Sequence, residues 1–327
     1  MQKINRIGVF TSGGDAPGMN ACIRSVVRTA IYNNLKVSGI IQGYEGMITN
    51  NFIEMNSRSV SNIVQQGGTI LKTARCPEFA TVEGRKLAFQ NLKNAGIDAL
   101  IGIGGDGTLT GLEVFSREFD IPVMGIPGTI DNDLYGSDYT LGFDTASNTV
   151  IEAIDKIRDT AASHDRLFFV EVMGRDSGYI ALNAGIGGGA EAILLPEMET
   201  AIEDLIKSLR TAAENKKTST IVIVAEGDKN GGAYNVAKRV KEEFDFYDTK
   251  VTILGHLQRG GNPGSFDRVL ASRLGYTAIN LLLEGKSRRV VGIRGTTIEH
   301  INLEEAIANK RIGLSSDMLE MARILAL

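Results

Sequence analysis

Short, nearly continuous apolar runs separated by helix-patterned stretches constrain the fold of this chain more than any other feature. The runs occupy residues 7–10, 37–41, 99–103, 122–126, 166–173, 192–196, 220–225 and 251–255. Such runs are typical of strands buried on both faces. Apolar residues recur at helical spacing over 147–162 and over 265–284, where Ser265 is a predicted N-cap and Gly285 a predicted stop. The alternation predicts an α/β fold with mostly parallel sheets and helices on both faces.

The length of the chain allows more than one hydrophobic core. Its 327 residues exceed the size at which a single core usually stops growing, so we expect two domains or one large α/β domain. Apolar residues make up 43% and charged residues 23%, which is the balance of an ordinary globular protein. The formal net charge of −4 gives no reason to expect a nucleic-acid partner.

The sequence carries no sign of membrane insertion or secretion. No apolar run reaches the roughly 18 residues that a membrane span needs. The first residues, MQKINRIGVF, lack the apolar core of a signal peptide. Two cysteines, Cys22 and Cys76, cannot form a disulfide framework and are typical of a reducing compartment. We therefore expect a cytoplasmic protein with no membrane partner.

Five polar, glycine-rich turns follow predicted strands. They are TSGGDAPGMN (11–20), IGGDGTLTG (103–111), PGTIDND (127–133), MGRDSG (173–178) and LGHLQRGGNPGS (254–265). Ligands of such sheets gather at the carboxyl ends of the strands, so the five turns predict one large polar site. A glycine turn that enters a helix offers backbone N–H groups and a positive dipole end to an anion. Neither Gly13-Gly14 nor Gly104-Gly105 belongs to a P-loop, and GIGGDG is not a complete GxGxxG fingerprint.

Charged side chains in these turns suggest phosphoryl transfer. Arg75, Arg166, Arg175 and Arg259 lie in or beside the strand-end turns, and guanidinium groups match phosphate oxygens. Asp106 could hold Mg²⁺, which prefers one or two carboxylates together with phosphate oxygens and water. Asp131 and Asp133 would point the same way in an extended segment, and one of them could accept a proton from a substrate hydroxyl. The alternative for each acid is a local turn or cap.

The motifs resemble those of bacterial ATP-dependent 6-phosphofructokinases over essentially the whole chain. TSGGDAPGMNACIRSVVR, GGDGT, PGTIDND, VEVMGR and LGHLQRGG occur in that family's order and spacing. The resemblance implies two three-layer α/β domains with the active site in the cleft between them, in a homotetramer. Residues 1–141 and about 254–306 would form a larger ATP-binding domain, and residues 142–253 and about 307–327 a smaller sugar-phosphate-binding domain. The implied glycolytic reaction moves the γ-phosphate of MgATP to the 1-hydroxyl of fructose 6-phosphate.

Motif position implies a role for individual residues. The implied ATP contacts are Gly14, Arg75, Cys76, Gly105, Asp106, Gly107 and Thr108, with Asp106 also binding Mg²⁺. Asp131 would be the general base with Thr129 and Asp133 beside it, and Arg175 would neutralise the transferring phosphoryl group. The sugar-phosphate contacts would be Thr129, Ile130, Asp131, Arg166, Met173, Gly174, Arg175, Glu226, Lys250, His256 and Arg259. Of these, Arg166 would reach the neighbouring subunit's site.

The family's effector site is matched in part. Its ligand there is ADP or phosphoenolpyruvate, and the residues implied to contact it are Arg24, Arg28, Arg158, Gly189, Glu191 and Lys217, the last as a substitute for a lysine at the position of Asn215. Arg24 and Arg28 are four residues apart on one predicted helix face, which suits a phosphate clamp. Ser57, Asn62 and Asn215 depart from the charged residues of some members. Which effector acts therefore stays open, and solvated helix charges without regulation are the alternative.

Three further positions bear on the substrates. Pyrophosphate-dependent relatives carry an aspartate at the position of Gly107 and a lysine at that of Gly128, so the two glycines favour ATP as the donor. Lys250 stands where the family commonly has an arginine, and we expect weaker fructose 6-phosphate binding because the bidentate fork is absent. The alternatives are a pyrophosphate-dependent enzyme and a catalytically silent sugar-phosphate sensor. A lipid or NAD kinase with GGDGT would not account for PGTIDND or HLQRGG.

Overall fold

A computed structural model of the chain describes residues 4–163, 166–215, 219–311 and 313–326. The strands are β1 (Arg6–Ser12), β2 (Lys36–Ile40), β3 (Phe52–Met55), β4 (Ala99–Gly104), β5 (Val123–Pro127), β6 (Arg166–Val172), β7 (Ala192–Leu194), β8 (Ser219–Ala225), β9 (Asp248–Ile253), β10 (Arg289–Arg294) and β11 (Thr297–Asn302). The helices are α1 (Met19–Tyr32), α2 (Tyr44–Ile48), α3 (Val82–Asn94), α4 (Asp106–Phe119), α5 (Phe143–Ala162), α6 (Tyr179–Gly187), α7 (Ile202–Glu214), α8 (Gly232–Glu243), α9 (Ser265–Leu283), α10 (Leu303–Ala308) and α11 (Ser316–Leu325). Two 3-10 helices cover Pro77–Ala80 and Gly255–Arg259.

The chain divides into two compact units. The larger unit comprises Met1–Thr145 and Arg259–Arg311, and the smaller unit comprises Ala146–Gln258 and Ile312–Leu327. The first crossing between them falls in the first turn of α5, and the second falls at the end of the 3-10 helix Gly255–Arg259. A third crossing follows Arg311. From the sequence, the three crossings were expected near 141, 253 and 306. Among the described residues, no helix is both long and apolar enough to cross a membrane.

The larger unit contains a seven-stranded sheet in the order β11-β10-β5-β4-β1-β2-β3. The five inner strands are parallel, whereas β3 and β11 pair antiparallel at the two edges. Strands β1 and β4 are neighbours, and the chain leaves them toward opposite edges of the sheet, to β2 and to β5. Such a switch point opens a crevice outside the carboxyl ends of the two strands. The first two predicted glycine turns lie there.

One face of the larger sheet is covered by an aromatic core. Phe10 of β1 and Leu100 of β4 are buried on this face with side chains from α3 and α4. The ring of Tyr44 lies 5.0 Å from that of Phe10 and 4.0 Å from that of Phe79. Alternate residues of each strand point to the opposite face, where α1 and α9 pack. Both faces are thus buried, which is why the strand sequences are nearly continuous in apolar residues.

The smaller unit contains a four-stranded parallel sheet in the order β7-β8-β6-β9. Leu167 and Phe169 of β6 and Val222 of β8 are buried against α7 and α8. Segments after the carboxyl ends of β6, β8 and β9 carry most of the predicted sugar-phosphate contacts of this unit. The mostly parallel α/β architecture predicted from the sequence is confirmed in both sheets.

Some local predictions were wrong. Strands β3, β10 and β11 were not predicted; β3 and β11 are half-exposed edge strands, whose residues alternate instead of forming an apolar run. Ser265 is the first residue of α9, and Gly264 is its N-cap, without a side-chain cap hydrogen bond. Gly285 follows the end of α9 with φ of 77°, so the predicted stop is confirmed.

Candidate active site

The turn after β1 is lined by an arginine from a distant part of the chain. Gly13 has φ of 84°, a left-handed conformation that glycine adopts without strain. The guanidinium of Arg259 lies against Gly14, so closely that a Cβ at Gly14 would be 2.5 Å from Nη1. The same Nη1 donates a hydrogen bond to the Asp15 carbonyl oxygen at 3.2 Å. Arg259, predicted as a sugar-phosphate ligand, therefore lies beside a predicted ATP contact in the larger unit.

The glycines from the end of β4 into α4 have two different roles. A Cβ at Gly104 would lie 2.3 Å from Thr108 Oγ1, and a Cβ at Gly111 would lie 2.6 Å from the Tyr44 hydroxyl oxygen. These two glycines permit close packing. Gly107 is exposed, and a Cβ there would meet nothing within 4 Å. Gly105 is the N-cap of α4. Gly105 and Gly107 thus leave the amino end of α4 open to a ligand.

Two hydrogen bonds hold Thr108 in place. Its hydroxyl donates to the Ser12 carbonyl oxygen at 3.1 Å, which joins the turn after β4 to the end of β1. Its carbonyl oxygen accepts a hydrogen bond of 2.5 Å from the Tyr44 hydroxyl, and burial raises the pKa of Tyr44 well above its usual value. The aromatic core thereby fixes the backbone of the first turn of α4.

Asp106 is the first residue of α4 and is exposed. Among the described residues, no group of three or more His, Cys, Asp or Glu side chains could hold a metal ion by itself. Magnesium is commonly bound by one or two carboxylates, with phosphate oxygens and water completing its coordination. One exposed carboxylate at a helix amino end, with open space at Gly107, fits an ion that arrives with a phosphate.

The segment that carries Arg75 and Cys76 is tied to both β1 and α1. Asn20 is 1% exposed; its Nδ2 donates to the carbonyl oxygen of Gly67 at 3.0 Å and its Oδ1 accepts from the N–H of Ile70 at 2.8 Å. Arg75 is exposed, and Cys76 is half-buried. Burial and a hydrogen bond to Glu45 raise the pKa of the Cys76 thiol to about 11.

The turn after β5 is buried and bent. Thr129, Ile130 and Asp131 are 7%, 0% and 2% exposed. The Thr129 hydroxyl oxygen accepts a hydrogen bond from the Asp131 N–H at 3.2 Å. Asn132 has φ of 53°, in the left-handed region. The segment is therefore not extended, so the condition under which Asp131 and Asp133 would point the same way is not met.

This bent turn lies directly beside the turn before α4. Gly104 of β4 is paired with Pro127 of β5, and the Gly128 N–H donates to the Gly104 carbonyl oxygen at 3.0 Å. A Cβ at Gly128 would lie 3.1 Å from Ile103 Cγ2, so any larger residue at 128 would have to displace its neighbours slightly. The predicted phosphate turn and the predicted base turn are therefore adjacent in the larger unit.

In the smaller unit, Glu226 organises the loop after β6. Its Oε1 accepts hydrogen bonds from the N–H of Gly174 at 3.2 Å and from that of Arg175 at 2.7 Å. Arg175 has φ of 52°, and a Cβ at Gly174 would lie 2.3 Å from the Ser177 carbonyl oxygen. The carboxylate thus stabilises a tight loop in which the exposed Arg175 has a left-handed backbone.

Two further side chains that the sequence analysis missed hold the same loop. Gln258 is 0% exposed; its Oε1 accepts from the Met173 N–H at 3.2 Å and its Nε2 donates to the Gly255 carbonyl oxygen at 3.0 Å. Glu197 Oε1 accepts from the Gly178 N–H at 2.8 Å. His256, in the 3-10 helix before Gln258, is exposed in the smaller unit. Gln258 lies inside the predicted turn LGHLQRGGNPGS, whereas Glu197 carries no sequence signal.

Arg166 and Lys250 lie away from that loop. Arg166 is the first residue of β6, so the expectation that it lies in a strand-end turn is wrong. Its Nε is 3.2 Å from Oδ2 of Asp248, and Lys250 Nζ is 2.8 Å from Oδ1 of the same carboxylate. The hydrogen bond from Lys250, followed by that from Arg166, lowers the pKa of Asp248. Because Met173 follows the far end of β6, Arg166 and Arg175 are at opposite ends of one sheet, and Lys250, paired with Phe168, is nearer the Arg166 end.

The predicted effector residues fall in both units. Arg24 is half-buried and Arg28 exposed on α1 of the larger unit. In the smaller unit, Arg158 Nη2 donates to the carbonyl oxygens of Gly188 and Gly189 at 2.5 and 2.8 Å. Glu191 Oε2 accepts from the Ile221 N–H at 2.6 Å. Lys217 lies outside the described residues.

Sequence comparisons with known proteins all find phosphofructokinases. The family model described as Phosphofructokinase matches residues 6–282. An ATP-dependent 6-phosphofructokinase 2 from Bacteroides thetaiotaomicron is 56% identical over 311 residues, which cover 95% of each chain. An ATP-dependent 6-phosphofructokinase from Bacillus pumilus is 51% identical over 324 residues, which cover 99% of this chain and 100% of the relative.

Solved structures agree with these relatives. The T-state phosphofructokinase of Pichia pastoris matches with a TM-score of 0.88 and 38% identity. The match covers 94% of this chain and 36% of the yeast chain, so this chain spans about a third of that polypeptide. A pyrophosphate-dependent phosphofructokinase from Marinobacter aquaeolei matches with a TM-score of 0.86 over 99% of this chain and 92% of its own. At 21% identity, the latter shows the fold alone.

Proposed function

The chain belongs to the phosphofructokinase family, and from this premise we propose which of its residues transfer the γ-phosphate of ATP to fructose 6-phosphate. The activity is that of an ATP-dependent 6-phosphofructokinase, a glycolytic kinase that yields fructose 1,6-bisphosphate and ADP. The proposed assignment of residues rests on one hydrogen bond of the larger unit, from the Gly128 N–H to the Gly104 carbonyl oxygen. It connects the turn after β5 to the turn before α4. This bond joins an anion-binding helix start to a turn that carries a buried carboxyl group.

The donor site is proposed at the carboxyl ends of β1 and β4. ATP would contact Gly14, Arg75, Cys76, Gly105, Asp106, Gly107 and Thr108. The exposed amino end of α4 supports this proposal, because its N–H groups and positive dipole end favour phosphate oxygens. Asp106 would hold Mg²⁺, which when bound would neutralise phosphate charge during the transfer.

The chemical step is proposed to depend on Asp131. Its carboxylate would accept the proton of the 1-hydroxyl while the oxygen attacks the γ-phosphorus and ADP leaves. Thr129 would orient the Asp131 backbone through the hydrogen bond at 3.2 Å, and Asp133 would lie beside it. Arg175, whose backbone Glu226 supports, would neutralise the charge on the transferring group.

The sugar-phosphate site is proposed to combine main-chain and side-chain groups. Thr129, Ile130, Met173, Gly174, Glu226, His256 and Arg259 would contact fructose 6-phosphate. Glu226 uses Oε1 for the loop, so Oε2 would accept the sugar hydroxyls. Arg166 and Lys250 would reach the site of a neighbouring subunit, which is consistent with their position at the opposite end of the smaller sheet.

We also propose a cytoplasmic homotetramer with an effector site. Arg24, Arg28, Arg158, Gly189, Glu191 and Lys217 would bind ADP or phosphoenolpyruvate there. The cytoplasmic location is supported by the two free thiols, which suit a reducing compartment. Sedimentation of the purified protein with and without each nucleotide or enol phosphate would test the oligomer and the ligand together.

The test of the proposed donor is direct. ATP and pyrophosphate would be supplied in parallel with fructose 6-phosphate, with and without Mg²⁺. We expect fructose 1,6-bisphosphate from ATP only, and only with the metal. Turnover with pyrophosphate would contradict the donor, and sugar-phosphate binding without turnover would instead support a silent sensor.

A matched pair of variants locates the donor. Gly107→Asp places a carboxylate in the open space before α4, and we expect kcat/KM for ATP to fall about 100-fold, as one misplaced group in a site commonly costs. Gly96→Asp adds the same side chain at an exposed glycine away from the site, where a Cβ also meets nothing within 4 Å; its φ of 67° is left-handed, a conformation that aspartate tolerates better than most residues. Its kcat/KM for ATP should not change. An unchanged kcat/KM in Gly107→Asp would place the donor elsewhere.

A further inference from the structure

The turn that carries Asp131 has a backbone conformation that needs support. Asn132, the next residue, is left-handed with φ of 53° and 1% exposed. A non-glycine residue in that region persists where the surrounding structure determines its conformation. Asparagine tolerates the region better than most residues, but a side chain so deeply buried must also satisfy its polar atoms.

The Asn132 amide finds its partners a few residues further along the chain. Its Oδ1 accepts a hydrogen bond from the Thr140 N–H at 2.9 Å, and its Nδ2 donates to the Asp138 carbonyl oxygen at 3.2 Å. The carbonyl oxygen of Asn132 accepts a hydrogen bond from Arg311 Nη1 at 2.9 Å. Side chain and main chain of Asn132 are therefore both bound within the larger unit.

Thr140 holds the other side of the turn. It is 0% exposed, and its hydroxyl donates to the Thr129 carbonyl oxygen at 2.5 Å. The same hydroxyl oxygen lies 3.3 Å from Asn132 Oδ1. Thr140 thus contacts the residue two before Asp131 and the residue directly after it.

We infer that Asn132 and Thr140 are positioning residues for phosphoryl transfer, which hold the backbone of Asp131 from both sides through buried hydrogen bonds. The inference rests on the proposed role of Asp131 as general base. None of the hydrogen bonds named here uses the Asp131 carboxylate, so the pair acts on where the carboxylate is, not on its proton. A base displaced by about 1 Å can cost as much as 100-fold in rate.

The primary test compares two substitutions at Thr140. Thr140→Val keeps the shape and removes the hydroxyl, and we expect kcat to fall about 10- to 100-fold with the KM for ATP changed less than about twofold. Thr140→Ser keeps the hydroxyl and should restore most of kcat. A structural role alone would lower the amount of folded enzyme, so rates are divided by the number of ATP sites from equilibrium binding.

Asn132→Gly provides a second, independent variant. Glycine adopts the left-handed conformation without strain, so the fold should survive while the amide is lost. We expect kcat to fall more than about tenfold, again without a matching rise in the KM for ATP. The double variant Asn132→Gly with Thr140→Val should lose little more than the worse single variant, because both act on one turn.

Two control variants remove similar side chains elsewhere. Asn50 is exposed and also left-handed, with φ of 56°, so Asn50→Gly repeats the backbone change away from the site. Thr220 is 0% exposed, and its hydroxyl oxygen has no hydrogen-bond partner among the described residues, so Thr220→Val repeats the other change. Both controls should keep kcat within about twofold of the wild type.

The outcomes separate this inference from the proposed function. Wild-type protein that makes no fructose 1,6-bisphosphate from ATP, or an Asp131→Asn variant that keeps full kcat, would overturn the proposed function and this inference with it. Active wild type with unchanged kcat in Thr140→Val and Asn132→Gly would overturn only the positioning role. Strictly multiplicative losses in the double variant would also contradict it.

Discussion

The proposed donor side in the larger unit and the proposed sugar side in the smaller unit are held by different means. In the larger unit, the turns after β1, β4 and β5 are fixed by close packing: a Cβ at Gly104 would lie 2.3 Å from Thr108 Oγ1, and one at Gly128 would lie 3.1 Å from Ile103 Cγ2. In the smaller unit, the loop after β6 depends on the side chains of Glu226, Gln258 and Glu197, each of which accepts from its N–H groups.

This difference predicts which kind of substitution disrupts the turns of each unit. A main-chain turn packed against its neighbours is disrupted by added volume, whereas a loop held by side-chain acceptors is disrupted by lost hydrogen bonds. The turn of Asp131 combines both, since Gly128 packs tightly on one side and Asn132 and Thr140 bind on the other. The predictions below separate these two modes.

The largest effect is expected from added volume on the donor side. In Gly104→Ala, the new Cβ would lie 2.3 Å from Thr108 Oγ1 and 2.4 Å from the Ser12 carbonyl oxygen. We expect the free energy of unfolding to fall by about 3 kcal/mol, because overpacking shifts the backbone. We also expect a large decrease in the affinity for ATP. Denaturant melts and ATP titration would measure both quantities.

Gly107→Ala is the matched control in the same motif. Its Cβ would meet nothing within 4 Å, and alanine favours the first turn of α4. The free energy of unfolding should be unchanged or slightly higher, while the KM for ATP rises. Equal destabilisation in Gly104→Ala and Gly107→Ala would contradict the distinction between closely packed glycines and glycines that face open space.

The next effect concerns lost acceptors on the sugar side. Glu226→Ala would leave the N–H groups of Gly174 and Arg175 without their carboxylate, and we expect kcat/KM for fructose 6-phosphate to fall about tenfold or more. The KM for ATP should stay constant. Glu226→Gln keeps an acceptor oxygen and should lose less, so equal losses in the two variants would show that the negative charge matters more than the hydrogen bonds.

A smaller effect is expected at Lys250. Its ammonium binds Asp248 at 2.8 Å, and Lys250→Arg would add a fork that can bind both that carboxylate and a phosphate. We expect the half-saturating concentration of fructose 6-phosphate to fall a few-fold. An unchanged value would mean that the cation at 250 does not reach the substrate, and Lys241→Arg on the exposed end of α8 is a control for adding arginine.

The smallest effect is a pH dependence at Cys76. Burial and Glu45 raise the thiol pKa to about 11, so little thiolate is present at pH 7 and alkylation should be slow. The alkylation rate should rise with pH toward 11, and Glu45→Gln should increase it at every lower pH. Mass spectrometry identifies the labelled cysteine; Cys22, whose pKa burial also raises, is buried and should stay unmodified. Protection by ATP would place Cys76 in the donor site.

Much of this site was predictable because its motifs are local. Glycine-rich turns after apolar runs identified the carboxyl ends of β1, β4 and β5, since strands and their following turns are continuous in sequence. The predicted positions of Asp106 and Asp131 follow from those turns. The bend between Asp131 and Asp133 was not predictable, because it depends on the left-handed backbone of Asn132.

Long-range partners were not predictable from the sequence. The guanidinium of Arg259 lies against Gly14, which is near the amino end of the chain. Arg166 forms an ion pair with Asp248 at the start of β9. Such pairings depend on which strand ends meet and on which way each side chain leaves the backbone. Gln258 and Thr140 likewise gain their roles only from the loops that fold against them.

By itself, the sequence determined the α/β class, the strand-end location of the candidate site and the types of charged residue in it. Buried parallel strands and glycine turns can be recognised from residues that are adjacent in the sequence. The tertiary structure alone decided which glycines are closely packed and which leave open space. It also decided which polar side chains support the site. These properties follow from distances between residues far apart in the chain, which the order of residues does not encode locally.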